Sequence, residues 1–142
     1  MYSKSFVLIT LITSICSIGH AGQHSPIDHF NKAQQLYEAS EFNDARLILE
    51  DLVAEHPDNS NFHHLLGKSY GRIAENSGPF KAMSMAKKTR REFETAVELD
   101  GQNIEALEDL MQYYEDAPGF LGGSKRKAEE IQKRLELLQS SL

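Results

Sequence analysis

The chain has 142 residues, 40% of them hydrophobic and 25% charged, with a formal net charge of −6, nine Gly, four Pro, one Cys and no Trp. That composition fits one globular domain, and a single cysteine excludes both a disulfide framework and a Cys-rich zinc module. The acidic balance argues against non-specific binding to nucleic acid or anionic lipid, which Lys and Arg drive by displacing counterions.

Residues 1–21 read as an address. One cation, Lys4, precedes an apolar run from Phe6 to Ile18, and Gly19-His20-Ala21 places small residues around a signal-peptidase cut after Ala21. A run of about 13 residues falls short of the roughly 20 that span a bilayer as a helix, so stable membrane insertion is not expected. Acylation at Cys16 is disfavoured, because Thr13-Ser14-Ile15 lacks the Leu and the small residue that lipoprotein sites carry ahead of the cysteine. The expected mature domain is 22–142, exported to the periplasm or secreted, with a net charge of −7 and no thiol.

After Ala21 the hydrophobic period is 3.6 nearly throughout, and no run of β-branched or aromatic residues alternates with polar ones. The fold class is therefore all-α. Ser25-Pro26 supplies an N-cap and a proline at the first helical position, with Asp28 at the positive end of the helix dipole. A first helix is expected from about Pro26 to Ala39, burying Phe30, Ala33, Leu36 and Tyr37. A second carries Ala45, Ile48, Leu49, Leu52 and Val53 on one stripe until His56-Pro57-Asp58-Asn59 stops it. In the middle of the chain His63, Leu66, Gly67 and Tyr70 match W-x2-L-G-x2-Y with His in place of Trp, and a shift of 34 residues places Gly67 on Ala33. Leu107, Leu110, Met111 and Tyr114 repeat the pattern 44 residues on, so ten residues are inserted between Tyr70 and Phe93. A last helix, Ser124 to Gln139, buries Ala128, Ile131, Leu135 and Leu138.

These residues resemble the tetratricopeptide-repeat (TPR) family over nearly all of residues 26–142. The resemblance implies a TPR-like helical-hairpin solenoid of about three repeats and six helices, roughly 26–59, 60–103 and 104–142, with the second repeat lengthened. More narrowly, the sequence is similar to a group of small exported bacterial TPR proteins with an APG-x-x-GG-x-x-x-KA signature, here Ala117-Pro118-Gly119, Gly122-Gly123 and Lys127-Ala128. The small residues Ala33 and Gly67 allow paired helices to approach closely, and Tyr70, Phe93 and Tyr114 fill the space beside them.

Candidate chemistry is sparse. His63 and His64 point about 100° apart on a helix and lack metal-ligand spacing; His63, at the Trp position, reads as a packing residue, and no metal or cofactor is expected. Gly119 to Lys125 ends Gly-Gly-Ser-Lys after a helix, so it is a turn with positive-φ glycines and a Ser124 cap rather than a phosphate loop. Ser84 and Ser124 lie in no nucleophile elbow, the mature chain has no Cys, and the carboxylates form no singled-out pair, so catalysis is not expected. Lys81, Lys87, Lys88, Arg90 and Arg91 form a locally basic helix whose buried side is expected to be Phe80, Met83, Ala86, Phe93 and Ala96.

In the TPR family the first helix of each hairpin lines a concave groove for a peptide or a partner's helix. Carried onto this sequence, the resemblance implies a partner-binding groove of Phe30, Gln34 and Tyr37 with Ile27 and Glu38; Asn61, His64, Lys68 and Arg72; and Glu108, Gln112 and Glu115 with Glu105 and Asp116. Lys68 and Arg72 would suit an acidic side chain, or would pair internally with Glu108 and Glu115. The expected function is an exported adaptor for another protein or peptide. Two alternatives are a solute-binding accessory with a cavity around Tyr70, Ile73, Phe80 and Met83, and an assembly factor that self-associates into a homo-oligomer.

Overall fold

The computed structural model describes residues 25–140, so the expected leader, residues 1–21, lies outside the described residues. Six α-helices follow one another: α1 (Pro26–Glu38), α2 (Phe42–Glu55), α3 (Ser60–Glu75), α4 (Pro79–Leu99), α5 (Ile104–Asp116) and α6 (Lys125–Ser140). A 3-10 turn, Gly119–Leu121, precedes α6, and there is no strand among the described residues. Each helix packs on the next along the chain, and α1 also reaches α3.

Local chemistry sets the helix ends. Ser25 Oγ accepts from the Asp28 backbone N–H at 3.2 Å while the Asp28 carboxylate accepts from the Ser25 N–H at 3.0 Å, a reciprocal cap ahead of Pro26. α1 closes through Ser40, which takes a left-handed φ of 63°; the Ser40 and Glu41 N–H groups return to the carbonyls of Tyr37 and Leu36. The Asn59 side chain caps α3, and Asn103 caps α5 through the Ala106 N–H at 3.1 Å. Asn103 also donates to Ser60 Oγ at 3.0 Å, and that hydroxyl donates to the Ala96 carbonyl at 2.9 Å, so the starts of α3 and α5 and the end of α4 are tied together.

Two hydrophobic clusters result. One joins Ala33, Ala45, Leu49, Leu52, Phe62, Leu65, Leu66 and Tyr70; the other joins Phe93, Leu110, Tyr114 and Ala128. Between them α3 and α4 meet where Gly67 faces Phe93: a Cβ on Gly67 would stand 2.6 Å from Phe93 Cδ1, so only a missing side chain permits the approach. His63 packs in the same seam with Nδ1 2.8 Å from Glu92 Oε2 and Nε2 2.9 Å from the Pro57 carbonyl, which gives the residue at the Trp position its packing role.

Two tyrosines fasten three consecutive helices each. Tyr70 of α3 donates to Glu50 of α2 at 2.5 Å, and the Lys88 ammonium of α4 lies 4.8 Å from its ring. Tyr114 of α5 repeats this, donating to Glu94 of α4 at 2.6 Å beneath the Lys127 ammonium of α6, also 4.8 Å away. Burial pushes both phenols up, reinforced by the carboxylates they bond. Burial also acts to raise Glu50, but hydrogen bonds from Tyr70 and Arg46 outweigh it and hold the carboxyl below its usual range.

The inserted residues behave differently from the expectation. In the 44-residue register Phe42, the first residue of α2, corresponds to Ala86, yet α4 begins at Pro79, about two turns earlier. The buried stripe of α4 runs through Ala82, Met85, Ala86, Thr89, Phe93 and Ala96. Phe80 stands about 200° around the helix from Ala82, so it is 89% exposed, and Met83 is 39% exposed; neither belongs to the buried side. The loop glycines are likewise more specialised than expected. Gly122 alone takes a positive φ, 95°, whereas Gly123 is needed because a Cβ there would lie 1.6 Å from the Ala117 carbonyl oxygen. Ser124 caps α6 through a 3.4 Å bond from the Lys127 N–H.

Candidate functional site

A cleft of about 380 Å³ opens between α1, α3, α4 and α5. One wall is α3, with Lys68, Gly71, Arg72 and Glu75, backed by Tyr37 of α1; the opposite wall is α5, with Asp109, Gln112, Tyr113 and Asp116. Ala86, Thr89 and Phe93 of α4 form the floor, and Ala117, Pro118 and Leu121 close one end. The end is held in place by the Tyr113 hydroxyl, which donates to the Leu121 carbonyl at 3.0 Å.

The walls differ in charge. The Lys68 ammonium lies 5.6 Å from the Tyr37 ring, and it has no carboxylate partner among the described residues. Arg72 covers the Phe42 ring at 5.3 Å and pairs with Glu75 at 2.5 Å. That pair is about half exposed on each side, so it fixes orientation more than it stabilises. Across the cleft, Asp109 is held by His64 Nε2 at 2.7 Å, and Asp116 accepts from the Gln112 amide at 2.7 Å. Burial pushes the Tyr37 phenol up, opposed by Arg72 and aided by Asp109 and Glu75. Tyr37 thus stays a neutral donor at the cleft mouth. Burial raises Tyr113 too, against the Arg90 charge. The whole offers an apolar floor with hydrogen-bonding, oppositely charged walls, the general make-up of a ligand cleft.

Of the residues assigned to a groove from the sequence, Tyr37, Lys68, Arg72 and Gln112 come together here, with Asp116. The others do not line the cleft. Phe30 packs in the first core cluster with its ring 5.0 Å from that of Phe62. His64 is buried beneath Asp109, at 6% exposure, and is a support rather than a contact surface. Asn61 sits at the start of α3, where it accepts from Asn103 at 3.3 Å. Glu115 faces a different hollow with Lys125, Ala128, Glu129 and Gln132, and Gln34 and Glu108 are exposed outside the cleft. Lys68 and Arg72 are engaged by Tyr37, Phe42 and Glu75, so the internal pairing with Glu108 and Glu115 is not formed. Asp109, Tyr113, Thr89 and Phe93 were missed. The register accounts for the part of the far wall that was found, because Lys68 and Arg72 shifted by 44 fall on Gln112 and Asp116.

Tyr70, Ile73, Phe80 and Met83 do not enclose a common cavity: Ile73 lines the hollow described next, whereas Phe80 and Met83 face solvent. A second, larger hollow of about 560 Å³ lies on the other side of Arg72, between residues 40–44, the end of α3 and Lys81, and is walled mainly by turn residues and charged side chains. Among the described residues no group of three or more His, Cys, Asp or Glu is placed to hold a metal ion, and no helix is long and apolar enough to cross a membrane. No protein-family model matches the chain, and no curated protein matches it.

Proposed function

We propose that this chain is an exported, TPR-like adaptor that holds a segment of another protein in the cleft between α1, α3 and α5 and performs no chemistry itself. The observation that carries the reading is the composition of the cleft walls: alternate helices, α1, α3 and α5, supply Tyr37, Lys68, Arg72, Asp109, Gln112 and Asp116 around an apolar floor. The repeat reading is supported by the two tyrosine seams, whose acceptors and donors are each 44 residues apart and span 20 residues in both cases. It is supported also by the short Gly67 to Phe93 approach. Export rests on the residues of the first 21 positions.

Charge reversal tests this function. The Lys68→Glu/Arg72→Glu variant should lose capture of a partner from an envelope extract while keeping its helicity, with melting lowered only slightly by the lost Tyr37, Phe42 and Glu75 contacts. Capture at the wild-type level by a folded variant would reject the cleft as the binding site.

A further inference from the structure

The insertion that lengthens α4 builds a surface the fold does not use. From Asn76 to Arg91 the sequence holds five cations and no carboxylate, in a chain of net charge −6. Three of the five are occupied: Lys88 covers the Tyr70 ring, Arg90 lies against Gly122, and Arg91 pairs with Glu92 at 3.0 Å. Lys81 and Lys87 have neither an ion-pair nor a ring partner among the described residues. Phe80 and Met83 share one helix face with Lys87 and are exposed, and Phe120, 72% exposed, sits on the 3-10 turn that packs against α4. A large apolar side chain exposed to this extent, with an unpaired Lys87 on its own face and an unpaired Lys81 one step round the helix, is the composition of a contact site rather than of a solvated face.

We propose that Phe80 and Met83, flanked by Lys81 and Lys87 on the same helix, dock an acidic segment of a partner protein that carries a large apolar side chain. Charge selects this occupant. A two-fold contact of the surface with itself would set Lys81 and Lys87 against their own copies. Two outward lysines on an acidic chain are a weak hold on an anionic bilayer. An acidic segment satisfies both lysines, and its apolar side chain covers Phe80. The surface borders the cleft at Ala86 and Leu121 but uses other side chains, so it stands or falls separately from the cleft.

The test is selection of a random dodecapeptide phage library on the immobilised full chain, followed by fluorescence anisotropy with the enriched peptide. Enriched sequences should combine Asp or Glu with Phe, Leu or Met. Their affinity should fall at least about tenfold in Phe80→Ser and in Lys81→Glu/Lys87→Glu, with melting unchanged, and should weaken as salt is raised. The proposal is overturned by failure to enrich, by enrichment of neutral or basic sequences, or by retention of binding in both variants. Loss confined to Lys68→Glu/Arg72→Glu would assign the peptide to the cleft instead. Displacement of the peptide by phosphatidylglycerol vesicles, or a concentration-dependent mass that Phe80→Ser abolishes, would equally overturn it in favour of a lipid surface or a second copy.

Discussion

The same substitution at two glycines of α3 should change stability in opposite directions. At Gly67 an added Cβ stands 2.6 and 2.7 Å from two carbons of the Phe93 ring and 3.3 Å from Glu92 Cβ. Ordinary carbon contacts lie at about 3.5–4.0 Å, so the ring must retreat by about 1 Å. Phe93 is 6% exposed and its ring lies 5.8 Å from that of His64, so it can give way only toward the cleft whose floor it forms. Overpacking of this kind costs about 3 kcal/mol, against a gain of about 1 kcal/mol for replacing glycine inside a helix, for a net loss of about 2 kcal/mol. At Gly71, one turn later, the nearest atoms are those of Thr89 at 3.7 Å, an ordinary contact. Gly71→Ala therefore keeps the gain of up to about 1 kcal/mol. For a chain of this size the two variants should melt about 10 °C apart, on either side of the wild type. Urea titration with matched m-values checks the free energies. A Phe93→Leu background should shrink the Gly67→Ala penalty, as coupled neighbours do. If Gly67→Ala raised the midpoint as Gly71→Ala does, the close approach of α3 to α4 would be refuted.

Ser40→Gly should stabilise by about 0.5 kcal/mol, because Ser40 holds a left-handed φ of 63° at the end of α1, where glycine avoids the Cβ clash but loses more entropy on folding; a lowered urea midpoint would count against it. Gly123→Ala should cost more than about 3 kcal/mol, since its Cβ would meet backbone, while Gly119→Ala, which faces open space, should stay within about 0.5 kcal/mol. Similar midpoints for that pair would contradict the loop geometry. Alkaline titration reads the tyrosines: burial raises Tyr37, Tyr70, Tyr113 and Tyr114, four of the five in the chain. Because the fold favours the protonated phenol, their contribution is complete below about pH 10 and is lost as the pH rises through the folded-state values. Tyrosinate absorbance should therefore lag for these four and appear together with loss of helicity; ionisation of all five near pH 10 with helicity intact would refute the burial.

Much of the fold was legible because it follows from local chemistry. Ser25-Pro26 marked the first cap, and the spacing from Ala33 to Gly67 marked the positions where helices crowd. What periodicity could not supply was the depth of cover around each helix. Phe80 and Met83 lie at plausible helical spacing, but the two added turns of α4 bury only the Ala82, Met85 and Ala86 side. His64 was assigned to a surface although it is buried, because Asp109, 45 residues away, covers it. The far wall of the cleft was read in part: Gln112 and Asp116 line it as assigned, but Glu108 was named where its neighbour Asp109 faces the cleft, and a single step rotates a side chain by about 100°.

The seams explain why the insertion is the part of the chain open to selection for binding. Tyr70 and Tyr114 each engage the helix before and the helix after, so a change at Glu50, Lys88, Glu94 or Lys127 loosens a junction between three helices. Residues 76–85 carry no such junction; among the described residues, Met85 alone of this stretch joins a core cluster. Their exposed side chains can therefore vary at little expense in stability, and surface positions without packing duties change it by only about 0.5 kcal/mol. The outward side of a stretch whose structural duties fall to Asn76, Ser77, Ala82 and Met85 nevertheless shows Phe, Met and unpaired Lys, rather than the mixed charges of an ordinary solvated helix, a composition that folding does not require. The contact proposed above with an acidic segment would supply that reason.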